Sequence, residues 1–329
     1  VGIEMSFSSV SCLHSHSSEP PSAGQVPCHF AIGRSFMRAV ETSNLTKTYG
    51  DTTALDDVSI RVEPGEMVSL IGPSGAGKST LLRHMSGLSV SDTTDSYVKI
   101  LGRTVQKNGD LNTRIRSIRS DVGFIFQQFN LVGRLPLITN VLTGMLSRVP
   151  TWRSLLRLFT HEEKKCAMAA LDRVGMAAYA AQRASTLSGG QQQRAAIARA
   201  LVQEAKVITA DEPIASLDPE SARKVMQNLR DINENDGVTV LVSLHQVDFA
   251  MRFCRRCIGM REGRVVFDGS TAELDTATLR GIYGSEYSDV QEGVDMFAHL
   301  AEKGAVETPL DSSNREEAEL LREAAKIEC

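Results

Sequence analysis

Two hydrophobic patterns alternate along this chain. One is a short, nearly continuous apolar run closed by a turn, seen in Met67-Val68-Ser69-Leu70-Ile71 and again at 206–210 and 238–243. Runs of that kind predict strands covered on both faces, as in a parallel sheet. The other pattern is helical, at 78–88, at 219–232, and across 137–183, where Met168, Leu171, Val174 and Met176 are among the apolar positions. Strands alternating with helices predict an α/β fold, a mostly parallel sheet with helices on both faces. Residues 39–45 and 58–62 alternate in polarity around Tyr49-Gly50-Asp51 and predict antiparallel hairpin strands. A polar, insertion-like stretch at 91–112 holds one short strand at 98–101, a late strand follows at 264–267, and 247–258 reads as helix. There is no internal repeat.

The two ends break the pattern. Residues 1–37 are rich in Ser, carry Pro20, Pro21 and Pro27, and show neither period. Such a segment buries too little apolar surface to offset its ordering entropy, so it reads as a disordered leader, with Met37 a candidate natural start. In 286–329 acidic residues outnumber basic ones, and Ser313-Asn314-Arg315-Glu316 has capping-box form, opening a short helix to Ile327. That region is expected to be a solvated tail.

Composition then narrows the class. The 329 residues are 42% hydrophobic and 23% charged, enough for one large core with a subdomain. A formal net charge of -4 argues against a general nucleic-acid binder. No run approaches the length of a membrane span, and the N-terminus lacks the apolar stretch of a secretory signal. Among the six cysteines, Cys254 and Cys257 have redox or metal spacing, but no second pair or nearby His completes a zinc site, and they read as ordinary reduced thiols.

The chemistry lies in two strings. After the 67–71 strand comes Gly72-Pro73-Ser74-Gly75-Ala76-Gly77-Lys78-Ser79-Thr80. In that strand–loop–helix setting, glycine lets backbone N–H groups turn inward around phosphate oxygens at a helix N-terminus. Lys78 then reaches the β- and γ-phosphates and the Ser79 hydroxyl ligates Mg²⁺. Asp211 ends a second apolar strand, where a carboxylate is costly unless it serves a cation, and Glu212 beside it can polarise an attacking water. The second string, Leu187-Ser188-Gly189-Gly190-Gln191, opens another helix whose N-terminus is also an anion site. Within one chain it duplicates the first.

In order and spacing these strings, with His245 further on, resemble the ATP-binding-cassette (ABC) ATPases. The resemblance implies a P-loop NTPase core of ABC type with a mostly parallel sheet, an N-terminal antiparallel β subdomain and an inserted α-helical subdomain at about 112–200, the whole cassette covering 38–285. It also removes the duplication, because in that family the Ser188–Gln191 type of helix caps the γ-phosphate held by a second copy, giving a head-to-tail dimer around two ATP. By position, Tyr49 resembles the adenine-stacking aromatic. Gln127, with Gln128 the alternative, resembles the glutamine that reports on the γ-phosphate and joins Ser79 and Asp211 at the metal. Asp218, which also suits a helix cap before Pro219, resembles the residue that touches the partner, and His245 the switch histidine.

Among importers, the chain is similar to the ATP-binding subunits of bacterial phosphonate transporters, from about 39 to 283. That similarity implies ATP and Mg²⁺ as ligands, integral-membrane permease subunits and indirectly a substrate-binding protein as partners, and a peripheral place on the cytoplasmic face of the membrane. The permease is expected to grip the 129–135 loop and the helical region, and the basic, amphipathic stretch Arg148–Phe159 could touch permease or lipid, or pack on its own subdomain. Other cargo (phosphate, polar amino acids, lipoproteins) and a soluble ABC protein outside transport remain the alternatives, since the site meets only nucleotide.

Overall fold

The computed structural model describes residues 37–288; the predicted leader and most of the acidic tail, with its 313–327 helix, lie outside that range. The chain begins with four short strands, β1 (Val40–Ser43), β2 (Leu45–Tyr49), β3 (Thr52–Val58) and β4 (Arg61–Val62). The expected hairpin around Gly50 is there, but it joins β2 to β3, while β1 pairs antiparallel with β4. Asn44, in the left-handed region at φ 50, breaks the first run into two strands that enter different sheets.

Next come β5 (Met67–Ile71) and α1 (Lys78–Met85), then β6 (Tyr97–Ile100), β7 (Arg103–Lys107), β8 (Asp110–Leu111), α2 (Ile115–Arg119) and β9 (Val122–Ile125). The predicted helical stretch resolves into α3 (Leu137–Leu142), α4 (Thr151–Leu155) and α5 (His161–Arg173), followed by α6 (Gly189–Val202). The chain then alternates: β10 (Val207–Asp211), α7 (Pro219–Asp236), β11 (Thr239–Ser243), α8 (Val247–Phe253), β12 (Arg256–Arg261), β13 (Arg264–Ser270) and α9 (Thr276–Tyr283). The helix expected over 247–258 therefore ends at Phe253, and Cys257 lies in a strand. Both Cys254 and Cys257 are buried and free, and burial pushes both thiols well above the usual range.

The central sheet runs β13-β12-β5-β11-β10-β9, with all strands but β13 parallel to their neighbours. Its residues divide between two cores by strand alternation. Ile71, Ile208, Ala210, Val240 and Val242 face a cluster with α3 and α5–α8, while Val68, Leu70, Val207 and Leu241 face one with α1 and the antiparallel strands. This is why those strands carry no polar alternation: each side of the pleat meets a covered face. β5, the source of the glycine loop, lies between β11 and β12 in the middle of the sheet.

Candidate functional site

Parallel register assembles the site. Asp211 pairs with Ser243, Ser243 with Leu70, and Ala210 with Ile125, so the C-terminal ends of β9, β10, β11 and β5 form one edge. Ligands of open α/β sheets bind outside that edge. The residues just past each strand, Gln127, Glu212, His245 and the 72–80 loop, are thereby gathered although they are far apart in sequence.

The 72–80 loop turns on two glycines. Gly77 caps α1 with φ 101, and a Cβ there would lie 2.3 Å from the Ala54 carbonyl oxygen. At Gly72, φ 143, a Cβ would come within 2.0 Å of the Met260 carbonyl oxygen. Both the turn and the approach to β12 require glycine. α1 has no side-chain cap and no acidic residue in its first turn, which leaves its opening N–H groups and positive dipole end to an anion. Lys78 is buried inside the loop and donates to the Gly72 carbonyl at 2.6 Å and the Pro73 carbonyl at 2.9 Å. Burial holds its ammonium below the usual lysine range, opposed by the charges of Glu212, Asp211 and Glu286.

Beside it, the Ser79 hydroxyl donates to Asp211 Oδ1 at 2.7 Å, and the Ser243 hydroxyl donates to the same oxygen at 3.0 Å. Ser243 also accepts from the Glu212 amide at 2.8 Å. That contact holds Glu212 at φ 47, a conformation costly for a residue with a side chain and concentrated at functional sites. The carboxylate is then engaged on both oxygens: His245 Nε2 lies 2.6 Å from Oε1, and Gln127 Nε2 donates to Oε2 at 3.1 Å. The His245 hydrogen bond is the main reason the Glu212 carboxyl sits below the usual glutamate range, outweighing burial. Ser79, Asp211 and the Gln127 amide are all oxygen donors, a set that suits a hard cation such as Mg²⁺. Among the described residues no group of three or more His, Cys, Asp or Glu could hold a metal.

The remaining predicted residues lie elsewhere. Ser188 caps α6 through a reciprocal box: its hydroxyl accepts from the Gln191 amide at 3.3 Å, and the Gln191 side chain accepts from the Ser188 amide at 2.9 Å. Two donors expected to face a ligand are thus used at home, leaving those of Gly189 and Gly190. Gly190 has a packing duty as well, since a Cβ there would lie 2.6 Å from the Ser221 Cβ on α7. Asp218 caps α7, accepting from the amides of Glu220 at 3.1 Å and Ser221 at 2.9 Å. Tyr49 is half exposed at the end of β2, its hydroxyl 3.2 Å from Ser89 Oγ. The loop after Gln127 is tied to the helices: Arg199 of α6 donates to the Asn130 carbonyl at 2.8 Å, and buried Asn140 of α3 accepts from the Val132 amide at 2.7 Å.

Sequence reasoning overlooked Ser243 and Tyr283. Ser243 had a signal, a hydroxyl closing an otherwise apolar strand as Asp211 closes its neighbour. Tyr283, whose hydroxyl accepts from the Gly72 amide at 3.2 Å, had none.

Comparison with known proteins identifies the family. Residues 55–215 match the family model of the ABC transporter. The phosphonates import ATP-binding protein PhnC of Maricaulis maris is 58% identical over 257 residues, 78% of this chain and 97% of that protein. Its namesake from Escherichia coli O157:H7 is 57% identical over 242 residues, 73% of this chain and 92% of that protein. Among solved structures, the dimeric post-hydrolysis state of the ATP-binding cassette MJ0796 bound to ADP and Pi superposes with a TM-score of 0.62 at 36% identity, covering 70% of this chain and 98% of that one. With relatives 58% and 57% identical matched over almost their full length, the chain belongs to the phosphonates import ATP-binding protein family of ABC transporter ATPases.

Proposed function

We propose that two copies of this chain close head to tail on two Mg-ATP and that hydrolysis drives phosphonate uptake through membrane-embedded permease subunits. The observation that carries the hydrolytic part is the hydrogen-bonded chain from Ser79 through Asp211 and Ser243 to Glu212, His245 and Gln127 at the mouth of the loop. Phosphoryl transfer to water depends on positioning and charge neutralisation more than on covalent chemistry. Lys78 and the first-turn amides of α1 neutralise phosphate oxygens, and Mg²⁺, held by Ser79 and Asp211 with Gln127, supplies further positive charge there. Glu212, ionised at neutral pH, orients and polarises the water, and His245 holds the carboxylate in place. Tyr49 supplies a face for the base. Ser188, Gly189, Gly190 and Gln191 of one copy close the site of the other, with Asp218 at the same interface. The dimeric state of the related cassette supports that arrangement.

Phosphonate as cargo is supported by the relatives' names, since cargo never meets this site. The permease is engaged from the helical side, where Arg199 and Asn140 link the Gln127 loop to α6 and α3. Val149 and Phe159 anchor this stretch on the core of its own subdomain, while α4 between them buries none of its residues; its exposed Trp152, Leu155, Leu156 and Leu158 are the apolar face we assign to a partner. No helix of the described residues is long and apolar enough to cross a membrane, which fits a peripheral subunit on the cytoplasmic face.

Glu212→Gln tests the reading. It is expected to bind Mg-ATP and accumulate as a closed dimer on size-exclusion chromatography, with turnover down about a hundredfold or more. In cells lacking their own phosphonate ATPase, the wild-type chain, with its permease, should restore uptake of labelled phosphonate and Glu212→Gln should not. Restored uptake of phosphate or amino acids instead would move the assignment to another cargo, and undiminished turnover would remove Glu212 from its role.

A further inference from the structure

α9, the last helix of the described residues, reaches back to the 72–80 loop from outside the 55–215 segment that matches the family model. Tyr283, the last residue of α9, is 4% exposed, and its phenolic oxygen accepts from the Gly72 amide at 3.2 Å. Gly72 opens the loop, is backed against the Met260 carbonyl of β12, and accepts the Lys78 ammonium on its own carbonyl. One residue therefore carries both contacts, the phenol on its amide and the lysine on its carbonyl.

The phenol is delivered by contacts that do not involve the loop. Ile282 packs on Gly259, where a Cβ would lie 2.6 Å from Ile282 Cδ1, and Arg261 Nη1 donates to the Gly281 carbonyl at 3.1 Å. Both partners are on β12, the strand beside β5. A cleft of about 240 Å³ lies between loop residues 73–76 and the group Arg261, Tyr283 and Glu286, so the loop's outer side is bounded by the C-terminal segment. Burial pushes the Tyr283 phenol well above its usual range, which keeps it neutral at any working pH.

We propose that Tyr283 is a positioning residue for nucleotide binding: by holding the Gly72 amide it fixes the entry of the phosphate loop and the seat of Lys78, and so sets affinity for ATP without touching it. The proposal rests on the ATPase reading above and extends it to an element beyond the family core. Tyr283→Phe keeps the ring and its packing but leaves the buried Gly72 amide without an acceptor. The expected result is a Kd and KM for Mg-ATP raised about three- to tenfold, the worth of one hydrogen bond, with kcat within about twofold. Ile282→Val, which loosens the same helix without touching Gly72, is expected to lower the thermal midpoint and leave ATP affinity at the wild-type value. Wild-type affinity in Tyr283→Phe, or an equal loss in Ile282→Val, would overturn the proposal. Wild-type protein unable to bind Mg-ATP would overturn the ATPase reading and this one together, whereas the variant comparison overturns this one alone.

Discussion

Glu212 occupies a backbone conformation that few residues with a side chain adopt, and the Ser243 hydroxyl on its amide keeps it there. Its carboxylate has one oxygen on His245 and the other on Gln127. His245 has an electrostatic effect besides an orienting one. Its hydrogen bond is the chief reason the Glu212 carboxyl is held below the usual range, while burial pushes the other way. A depressed pKa means that Glu212 stays ionised well into acid, and activity that needs the carboxylate is lost only as pH falls through that value. In His245→Ala the depressing contact is gone and burial remains, so the pKa rises. The acid limb of the pH–kcat profile is then expected to move to higher pH, in addition to a fall in the plateau. A limb that stays put would show that His245 does not set the ionisation of Glu212.

At the scale of elements, helix starts carry much of the design. α6 opens with a capping box and α7 with Asp218 before Pro219, and both starts were readable because capping needs particular residues at fixed spacing. The five-residue apolar runs were readable as strands for a similar reason, since a strand buried on two faces has no room for polar alternation. What could not be read was anything set by a distant neighbour. The break at Asn44 that sends β1 and β2 into different sheets, and the end of α8 before Cys257 joins β5's flank, are decided by pairing across the fold. So is the role of Gly190. From sequence it is a residue of an anion site, yet in the fold it also lets α6 approach Ser221 of α7. Gly190→Ala is expected to destabilise the folded chain by about 1–3 kcal/mol through that clash, read as a lowered denaturant midpoint. Adding Ser221→Gly should recover part of the loss, because the two changes act on one contact. Equal, additive losses would mean that the Ser221 contact is not the source of the destabilisation.

For the whole molecule, the decisive question is which chain completes the site. The proposed phosphate cradle, metal ligands and base are gathered at the sheet edge. At the start of α6, Ser188 and Gln191 are bonded to each other and not to the loop. A site shared between copies makes a prediction that a self-contained one cannot. Lys78→Ala spoils the cradle and Ser188→Arg spoils the α6 wall, so each variant alone should be inactive. In a two-fold, head-to-tail dimer, a mixed pair unites both defects in one site and leaves the other with an intact Lys78 from one copy and an intact Ser188 from its partner. Mixing the two inactive proteins should therefore restore ATP hydrolysis, up to about a quarter of the wild-type rate, since half the dimers are mixed and each has one whole site. If cradle and wall worked within a single chain, every molecule in the mixture would still carry a defect and no activity would return.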